Sequence, residues 1–260
     1  MNNTKPMPAL FVGHGSPTHI LDDTPFSESL KKLARDIPRP TAILVVSAHW
    51  LTHGTQVTES KNPRQIFDFY GFPDALYDVI YTPPGNPELA LTIADTLSDF
   101  NVSCDHSWGL DHASWAVLKH MYPEQDIPVL EMSLDTDSTP EQHFAIGKAL
   151  QFLREQNVLV IGSGNIVHNL RMIKWEVDPE PYPWVAEFDA FVKEALEKRW
   201  FDRLVHYDQL GSAAKLSIPT PDHYLPMLYT LGLIQDTDTI RFFYEGLEAG
   251  SLSMRGFVVE

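Results

Sequence analysis

The sequence alternates short uncharged runs, rich in β-branched residues, with longer segments that carry apolar residues at helical spacing. The clearest runs are Thr41–Ser47 and Val158–Gly162. Segments such as Phe26–Asp36 and Pro140–Gln156 have helical periodicity and predict the connecting helices. Strands that are apolar throughout are buried on both faces, as in a parallel sheet covered by helices on both sides. The alternation therefore predicts an α/β fold with a central, mostly parallel or mixed sheet flanked by helices.

The chain has 260 residues, a length at which α/β proteins often form one folding unit. It contains no internal repeat, low-complexity tract or long linker. The sequence therefore predicts a single domain over residues 1–260. Near the end, Ile240–Tyr244 and Ser253–Val259 are strand candidates that can pair as a final hairpin.

Charge and cysteine content narrow the classes of function. The chain has 35 acidic and 19 basic residues, a formal charge of −16, which disfavours binding to nucleic acid or to anionic lipid. Cys104 is the only cysteine, so neither an intramolecular disulfide nor a thiolate metal cluster is expected. The amino terminus lacks the apolar stretch of a signal peptide, and the apolar runs are too short to span a bilayer. We predict a cytoplasmic protein with no nucleic-acid or membrane partner; self-association into a homo-oligomer stays open.

Three histidines occupy equivalent places at the ends of predicted strands. His14, His49 and His168 each lie at or just beyond the end of an apolar run, and His223 lies in a proline-rich loop before a predicted helix. Ligands of open α/β sheets bind outside the carboxyl ends of the strands, so these imidazoles can converge. A single histidine of this kind is more often a hydrogen-bonded loop or core residue. The repeated placement instead predicts a metal site, for which imidazole suits zinc and iron(II).

His112 has a different setting, between Trp108 and Trp115 and directly after Asp111. It is a candidate acid–base group or substrate contact, and the equally weighted alternative is a helix-start residue without a role. The remaining histidines are interpreted as surface or packing residues: His19, His53, His106, His120, His143 and His206. The chain has no His-Glu-x-x-His helix, P-loop or Gly-x-Ser-x-Gly elbow, so the metalloprotease, nucleotide-binding and serine hydrolase signatures are absent.

Two long loops are unusually rich in aromatic residues and proline, namely Phe67–Pro84 and Trp175–Trp184. Loops of this length often form lids or pocket walls, and a planar apolar ligand needs such walls. The alternative is a pair of surface loops whose aromatic residues are incidental. We predict that both loops line a ligand pocket.

Six motifs carry a resemblance to a known family: GHGSP (Gly13–Pro17), SAHW (Ser47–Trp50), GFPDALYD (Gly71–Asp78), WGLDHASW (Trp108–Trp115), SGNIVHNL (Ser163–Leu170) and PTPDHYLP (Pro219–Pro226). In this order they resemble the DODA-type extradiol ring-opening dioxygenases of the class III superfamily, especially the bacterial 4,5-DOPA dioxygenase-like branch. The likeness runs from about Pro8 to the carboxyl terminus and implies the fold of a class III catalytic subunit.

The resemblance also implies a set of roles. His14 and His49 match metal-binding histidines, and His168 and His223 match the two that close the site, one or both touching the metal. His168 or His112 would serve as the acid–base group. The implied cofactor is one divalent metal ion, iron(II) for ring cleavage or zinc(II) as bound. The implied substrates are O2 and a catechol-type small molecule such as L-DOPA, opened to a muconic semialdehyde of the seco-DOPA type.

Two other functions remain open at this point. A zinc-dependent hydrolase would use the same four histidines and a metal-bound water. A non-catalytic protein that binds metal or aromatic ligands would keep the scaffold without turnover. Metal identity and oxygen consumption distinguish the dioxygenase from both alternatives.

Overall fold

The computed structural model describes residues 5–260. Its strands are β1 (Ala9–Gly13), β2 (Ala42–Thr52), β3 (Gln56–Thr58), β4 (Ser103–Asp105), β5 (Val129–Asp135), β6 (Val158–Gly164), β7 (Ile240–Tyr244), β8 (Leu247–Glu248), β9 (Leu252–Ser253) and β10 (Gly256–Val259). Its helices are α1 (Pro25–Asp36), α2 (Asp74–Tyr77), α3 (Pro87–Thr96), α4 (His112–Met121), α5 (Pro140–Ala149), α6 (Phe152–Glu155), α7 (Pro183–Glu197), α8 (Phe201–Val205), α9 (Ser212–Ser217) and α10 (Leu225–Gly232).

The central sheet has the strand order β4-β3-β5-β2-β6-β1-β10-β7. Its middle four strands, β5, β2, β6 and β1, run parallel to one another. Strand β10 is antiparallel to both β1 and β7, and β3 is antiparallel to β5. The predicted class, a single-domain α/β fold with a mixed sheet flanked by helices, is confirmed.

Helices cover both faces of this sheet, which explains why its central strands carry so few charges. Along β2, Leu44 and Val46 face a core that contains residues of α3, α5, α7 and α10. Ile43 and Val45 alternate with them and face a second core, which α1 and α4 contribute to. Successive side chains of a strand point to opposite faces, so a strand buried on both sides must be apolar at every position.

Two predicted elements differ in detail from the structure. The predicted helix Pro140–Gln156 consists of α5 and α6, separated by a turn at Leu150 and Gln151. The last predicted strand is divided into β9 and β10; β10 pairs with β7 as predicted, but the separate hairpin of β8 and β9 lies between them in sequence. Gly256 permits this pairing, since a Cβ there would lie 2.2 Å from the Phe243 ring.

The parallel arrangement brings the carboxyl ends of β1, β2 and β6 to one edge of the sheet. The loop that carries His223 docks onto the same edge, where the amide of Asn165 donates to the carbonyl oxygen of His223 at 2.8 Å. A Cβ on Gly164 would lie 2.1 Å from that oxygen, so this position requires glycine. Within residues 5–260, no helix has the length and apolar character needed to cross a membrane.

Candidate metal centre and active-site cavity

His14 and His49 face each other at the carboxyl ends of β1 and β2. Their Nε2 atoms lie 3.2 Å apart. Two imidazole nitrogens that share a metal ion, each about 2.0–2.1 Å from it, have a separation of this size. The second nitrogen of each ring faces outward: His14 Nδ1 lies 3.0 Å from Ser163 Oγ, and His49 Nδ1 lies 3.2 Å from Asp68 Oδ2.

These outward contacts determine where the ring protons lie. Ser163 Oγ donates its own hydrogen to the carbonyl oxygen of Ala113 at 2.7 Å, so it accepts one from His14 Nδ1. The Asp68 carboxylate can only accept, so it favours a proton on His49 Nδ1. With both Nδ1 atoms facing acceptors, the two Nε2 atoms are left to face the same space. This is the arrangement by which hydrogen-bond partners orient metal-binding histidines, and it fits a cation between them.

His112 joins the same cluster from the start of α4. Its Nδ1 donates to Asp68 Oδ2 at 2.8 Å, and its backbone amide donates to Asp68 Oδ1 at 3.0 Å. The ring centroid of His112 lies 4.2 Å from that of His49 and 5.4 Å from that of His14. One nitrogen each of His14, His49 and His112 lies within 4.8 Å of the others, close enough for a shared ion.

His168 and His223 complete the cluster from the opposite side. Their rings stack with centroids 3.4 Å apart and an interplanar angle of 6°. His223 Nδ1 donates to the carboxylate of Asp222, which leaves Nε2 unprotonated. The His223 centroid lies 5.3 Å from that of His14 and 4.9 Å from that of His49. His168, Asp222 and His223 also offer ligand atoms within 4.8 Å of one another.

Burial keeps these imidazoles neutral, which is the state that binds metal. Desolvation, followed by the neighbouring histidines, lowers the pKa of His14 and of His223 well below 6.5. Desolvation lowers the pKa of His168 to about 4, and it also lowers the pKa of His49. Burial alone would raise the pKa of Asp68, but the hydrogen bonds from His112 and the charges of His112 and His49 together outweigh it and hold that pKa below its ordinary value.

The histidines form the polar part of a cavity of about 900 Å³. The first aromatic loop contributes Phe69, Tyr70 and Phe72 to its wall, and the second contributes Trp175 and Pro179. The prediction that both loops line a pocket is therefore confirmed. A cavity with apolar aromatic walls and a few converging polar groups is typical of a site for a small planar ligand.

The structure brings together all five histidines that were singled out from the sequence, and it adds partners that sequence reasoning missed. Asp68, Ser163 and Asp222 hold the outward nitrogens of the histidines. Asp68 could have been recognised in the sequence as the acidic residue between two phenylalanines of the first aromatic loop. Glu131, buried beneath α4, could have been recognised as the charged residue in the otherwise uncharged first part of β5.

The fold and the cavity define the class of the protein: an α/β enzyme with a cluster of histidines, beside the carboxyl ends of parallel strands, that can hold a metal ion. Residues 6–251 match the family described as the catalytic LigB subunit of aromatic ring-opening dioxygenase. The chain belongs to this family, and it is an aromatic ring-opening dioxygenase. The resemblance found in the sequence motifs is thereby confirmed.

Relatives and a solved structure agree with this assignment. A 4,5-DOPA dioxygenase extradiol of Escherichia coli K12 is 47% identical over 261 residues, covering 98% of this chain and 94% of that protein. A protein of the same name from Beta vulgaris is 34% identical and covers 94% of this chain and 92% of its own length. A crystal structure of an uncharacterized protein from Escherichia coli K12 superposes with a TM-score of 0.86 at 42% identity, covering 98% of this chain and all of that one.

Proposed function

We propose that this enzyme is an extradiol dioxygenase that opens the ring of a catechol such as L-DOPA with O2, giving a muconic semialdehyde of the seco-DOPA type. The observation that carries the proposal is the pair of Nε2 atoms of His14 and His49, which lie 3.2 Å apart in an aromatic-walled cavity. The names of the relatives from Escherichia coli and Beta vulgaris support L-DOPA as the first substrate to test.

We assign the metal to His14, His49 and His223, because the ring centroid of His223 lies 5.3 Å from that of His14 and 4.9 Å from that of His49. His168 stacks against His223 in the same cavity. Bound there, iron(II) would supply a Lewis acid that lowers the pKa of a catechol hydroxyl and a redox centre for dioxygen. His168 also lines the cavity, which supports an acid–base role for this residue toward a bound substrate.

His112 is the second acid–base candidate. It lines the cavity, and its Nδ1 is held by Asp68, which leaves Nε2 free to accept a phenolic proton. The carboxylate of Asp68 would stabilise the imidazolium that results, because it lies 2.8 Å from the charged ring. Phe69 and Phe72, in the same wall, would exclude water from the reacting ring.

The family match rules out the zinc-dependent hydrolase that the sequence left open, but zinc is the alternative resident metal, supported by one observation. The converging donors are neutral imidazoles, a set that also suits tetrahedral zinc with a bound water. We assign iron(II) as the resident metal, because ring opening requires a metal that reacts with dioxygen.

The test is anaerobic loading of the purified enzyme with iron(II), followed by oxygen-electrode and visible-absorbance measurements with L-DOPA and with unsubstituted catechol. We expect one O2 consumed per substrate and a yellow product. The zinc-loaded enzyme and the metal-free enzyme are the matched controls and should consume none. No uptake by the iron form, together with zinc in the untreated protein, would reject both iron(II) as the resident metal and a catechol as the substrate.

We also infer a cytoplasmic location, supported by the single cysteine and the acidic composition. Fractionation of the producing cells tests this, and recovery in an exported fraction would contradict it. Light scattering of the purified protein decides between a monomer and a homo-oligomer.

A further inference from the structure

Lys174 and Glu248, which carry opposite charges, both line the cavity. Among the described residues that line the cavity, Lys174 is the one lysine or arginine, whereas Asp68, Glu176, Asp178 and Glu248 are acidic. Asp68 is already engaged by His112. The other charged side chains of the wall have no part in the chemistry assigned above, so they are free to recognise the rest of a substrate.

Backbone contacts place Lys174 next to Glu248. The amide of Lys174 donates to the carbonyl oxygen of Ala249, the residue after Glu248, at 2.9 Å. The aliphatic part of the Lys174 side chain packs over Gly250, where a Cβ would come within 2.8 Å of it. Gly250 has a φ of +72°, a conformation that further favours glycine. The β8–β9 hairpin thus carries Glu248 and holds the backbone and the aliphatic stem of Lys174 against it.

The same hairpin sets the distance from these charges to the histidines. Glu248 pairs with Leu252 across β8 and β9, and Leu252 forms an antiparallel bridge with His168. Each step between paired residues is about 5 Å, so the Cα of Glu248 lies about 10 Å from that of His168. An aromatic amino acid with its hydroxyls at the histidines would extend its charged end toward this hairpin.

The charges of this pair are only partly satisfied by the protein. Lys174 Nζ donates to the carbonyl oxygen of Glu180 at 2.6 Å and lies 4.4 Å from the centre of the Tyr182 ring, and both partners are neutral. Glu248 Oε2 lies 2.9 Å from His19 Nε2, whose ring holds the carboxylate in position. Within residues 5–260, no lysine or arginine pairs with Glu248 and no carboxylate pairs with Lys174. A ligand with complementary charges would complete both interactions.

We propose that Glu248 and Lys174 form a side-chain subsite, in which Glu248 binds the ammonium group and Lys174 the carboxylate of an α-amino acid catechol. This inference rests on the proposed function, because it places the catechol hydroxyls at the histidines. The subsite determines which catechols the enzyme prefers and takes no part in ring opening. His19 is a positioning residue, since it acts through Glu248.

The test measures binding rather than turnover. Isothermal titration calorimetry under nitrogen, with the zinc-loaded enzyme, compares four ligands: L-DOPA, dopamine, 3-(3,4-dihydroxyphenyl)propionate and 4-methylcatechol. Glu248→Gln should weaken binding of L-DOPA and dopamine by about tenfold and leave the propionate unchanged, since one charge-assisted hydrogen bond is lost. Lys174→Met should weaken binding of L-DOPA and the propionate by about tenfold and leave dopamine unchanged.

The controls are Glu155→Gln and Lys148→Met, which make the same changes at exposed positions on α6 and α5. They should leave all four dissociation constants unchanged, and 4-methylcatechol should bind all variants equally. Equal weakening of every ligand, no change in either variant, or no binding of any ligand to the wild-type enzyme would overturn the subsite.

The subsite and the proposed function can fail separately. Selective binding as described, without O2 uptake by the iron-loaded enzyme, would reject the proposed function and keep the subsite. If both variants open L-DOPA with an unchanged KM, the proposed function stands and the subsite is rejected.

Discussion

The backbone amide of Asp111 donates a hydrogen bond to the buried carboxyl group of Glu131 at 3.1 Å, which ties the start of helix α4 to strand β5. Asp111 in turn caps this helix, since its Oδ1 accepts from the amide of Ala113 at 2.9 Å. Its other oxygen accepts from Ser47 Oγ at 2.6 Å. The residue that follows Asp111 is His112, so two strands and a buried carboxyl pair hold this imidazole in the cavity wall.

Replacing Glu131 with glutamine should destabilise the protein. Burial, and next the charge of Asp111, raises the pKa of Glu131 well above its ordinary value. One carboxyl oxygen accepts from the Asp111 amide and Ser114 Oγ, and the other accepts from Trp108 Nε1. An amide must turn its NH2 toward one of these donors, which should cost about 1–3 kcal/mol of unfolding free energy.

Urea unfolding of Glu131→Gln beside the wild-type enzyme checks this prediction. Glu124→Gln, at an exposed position after α4, is the matched control and should leave the midpoint unchanged. A Glu131→Gln variant with wild-type stability would show that the buried carboxyl group does not hold the start of α4.

His14→Ala and His49→Ala should each lose the bound metal while keeping the fold. Each substitution removes one of the two Nε2 atoms that lie 3.2 Å apart. Loss of a residue that only hydrogen-bonds to a metal ligand lowers metal affinity about 10–100-fold, so the loss of a ligand itself should lower it by more than about 100-fold. Elemental analysis of the purified variants measures this, with circular dichroism as the check of folding. His53→Ala, an exposed histidine paired with Asp137, should retain the metal. Normal metal content in both cavity variants would refute the site.

His112→Ala should retain the metal but slow ring opening by about 10²–10⁴-fold, the usual contribution of an acid–base group. The measurement is kcat under saturating L-DOPA, together with metal content of the same preparation. Loss of metal in this variant would instead make His112 a ligand, a role that its closeness to His14 and His49 permits.

His143 should make the stability of the protein depend on pH. It is buried beside Tyr229, with Nδ1 3.0 Å from the phenolic oxygen, and burial lowers its pKa from 6.5 to about 4. Between these two values the unfolded chain binds a proton that the folded protein does not, so stability falls as the pH falls through this window. The loss should reach about 3 kcal/mol.

The check is chemical unfolding of metal-free wild-type protein and His143→Gln at several pH values between 7 and 4. Because the cavity histidines titrate in both proteins, the difference between the two curves reports on His143 alone. Curves that run parallel over the whole range would contradict the prediction.

The local sequence determined most of the architecture of this protein. Uncharged runs such as Thr41–Ser47 can be stable only with both faces covered, so they predict a buried, largely parallel sheet, and the structure confirms it. The same runs mark where strands end, which is why His14, His49 and His168 could be placed at one edge before any distance was known. Short elements such as β3 escaped prediction, because three residues carry too little periodicity.

What the tertiary structure decided is how the side chains pair across the chain. Asp68 reaches His112 from 44 residues away, and Ser163 reaches His14 from 149 residues away. The order of the strands, rather than any local pattern, creates these contacts and so sets the tautomers and lowered pKa values of the imidazoles. The hydrogen bond from the Lys174 amide to Ala249 depends likewise on a hairpin that docks beside His168. Local periodicity reports which face of an element is buried, whereas the partner of a buried polar group depends on which elements the whole fold brings together.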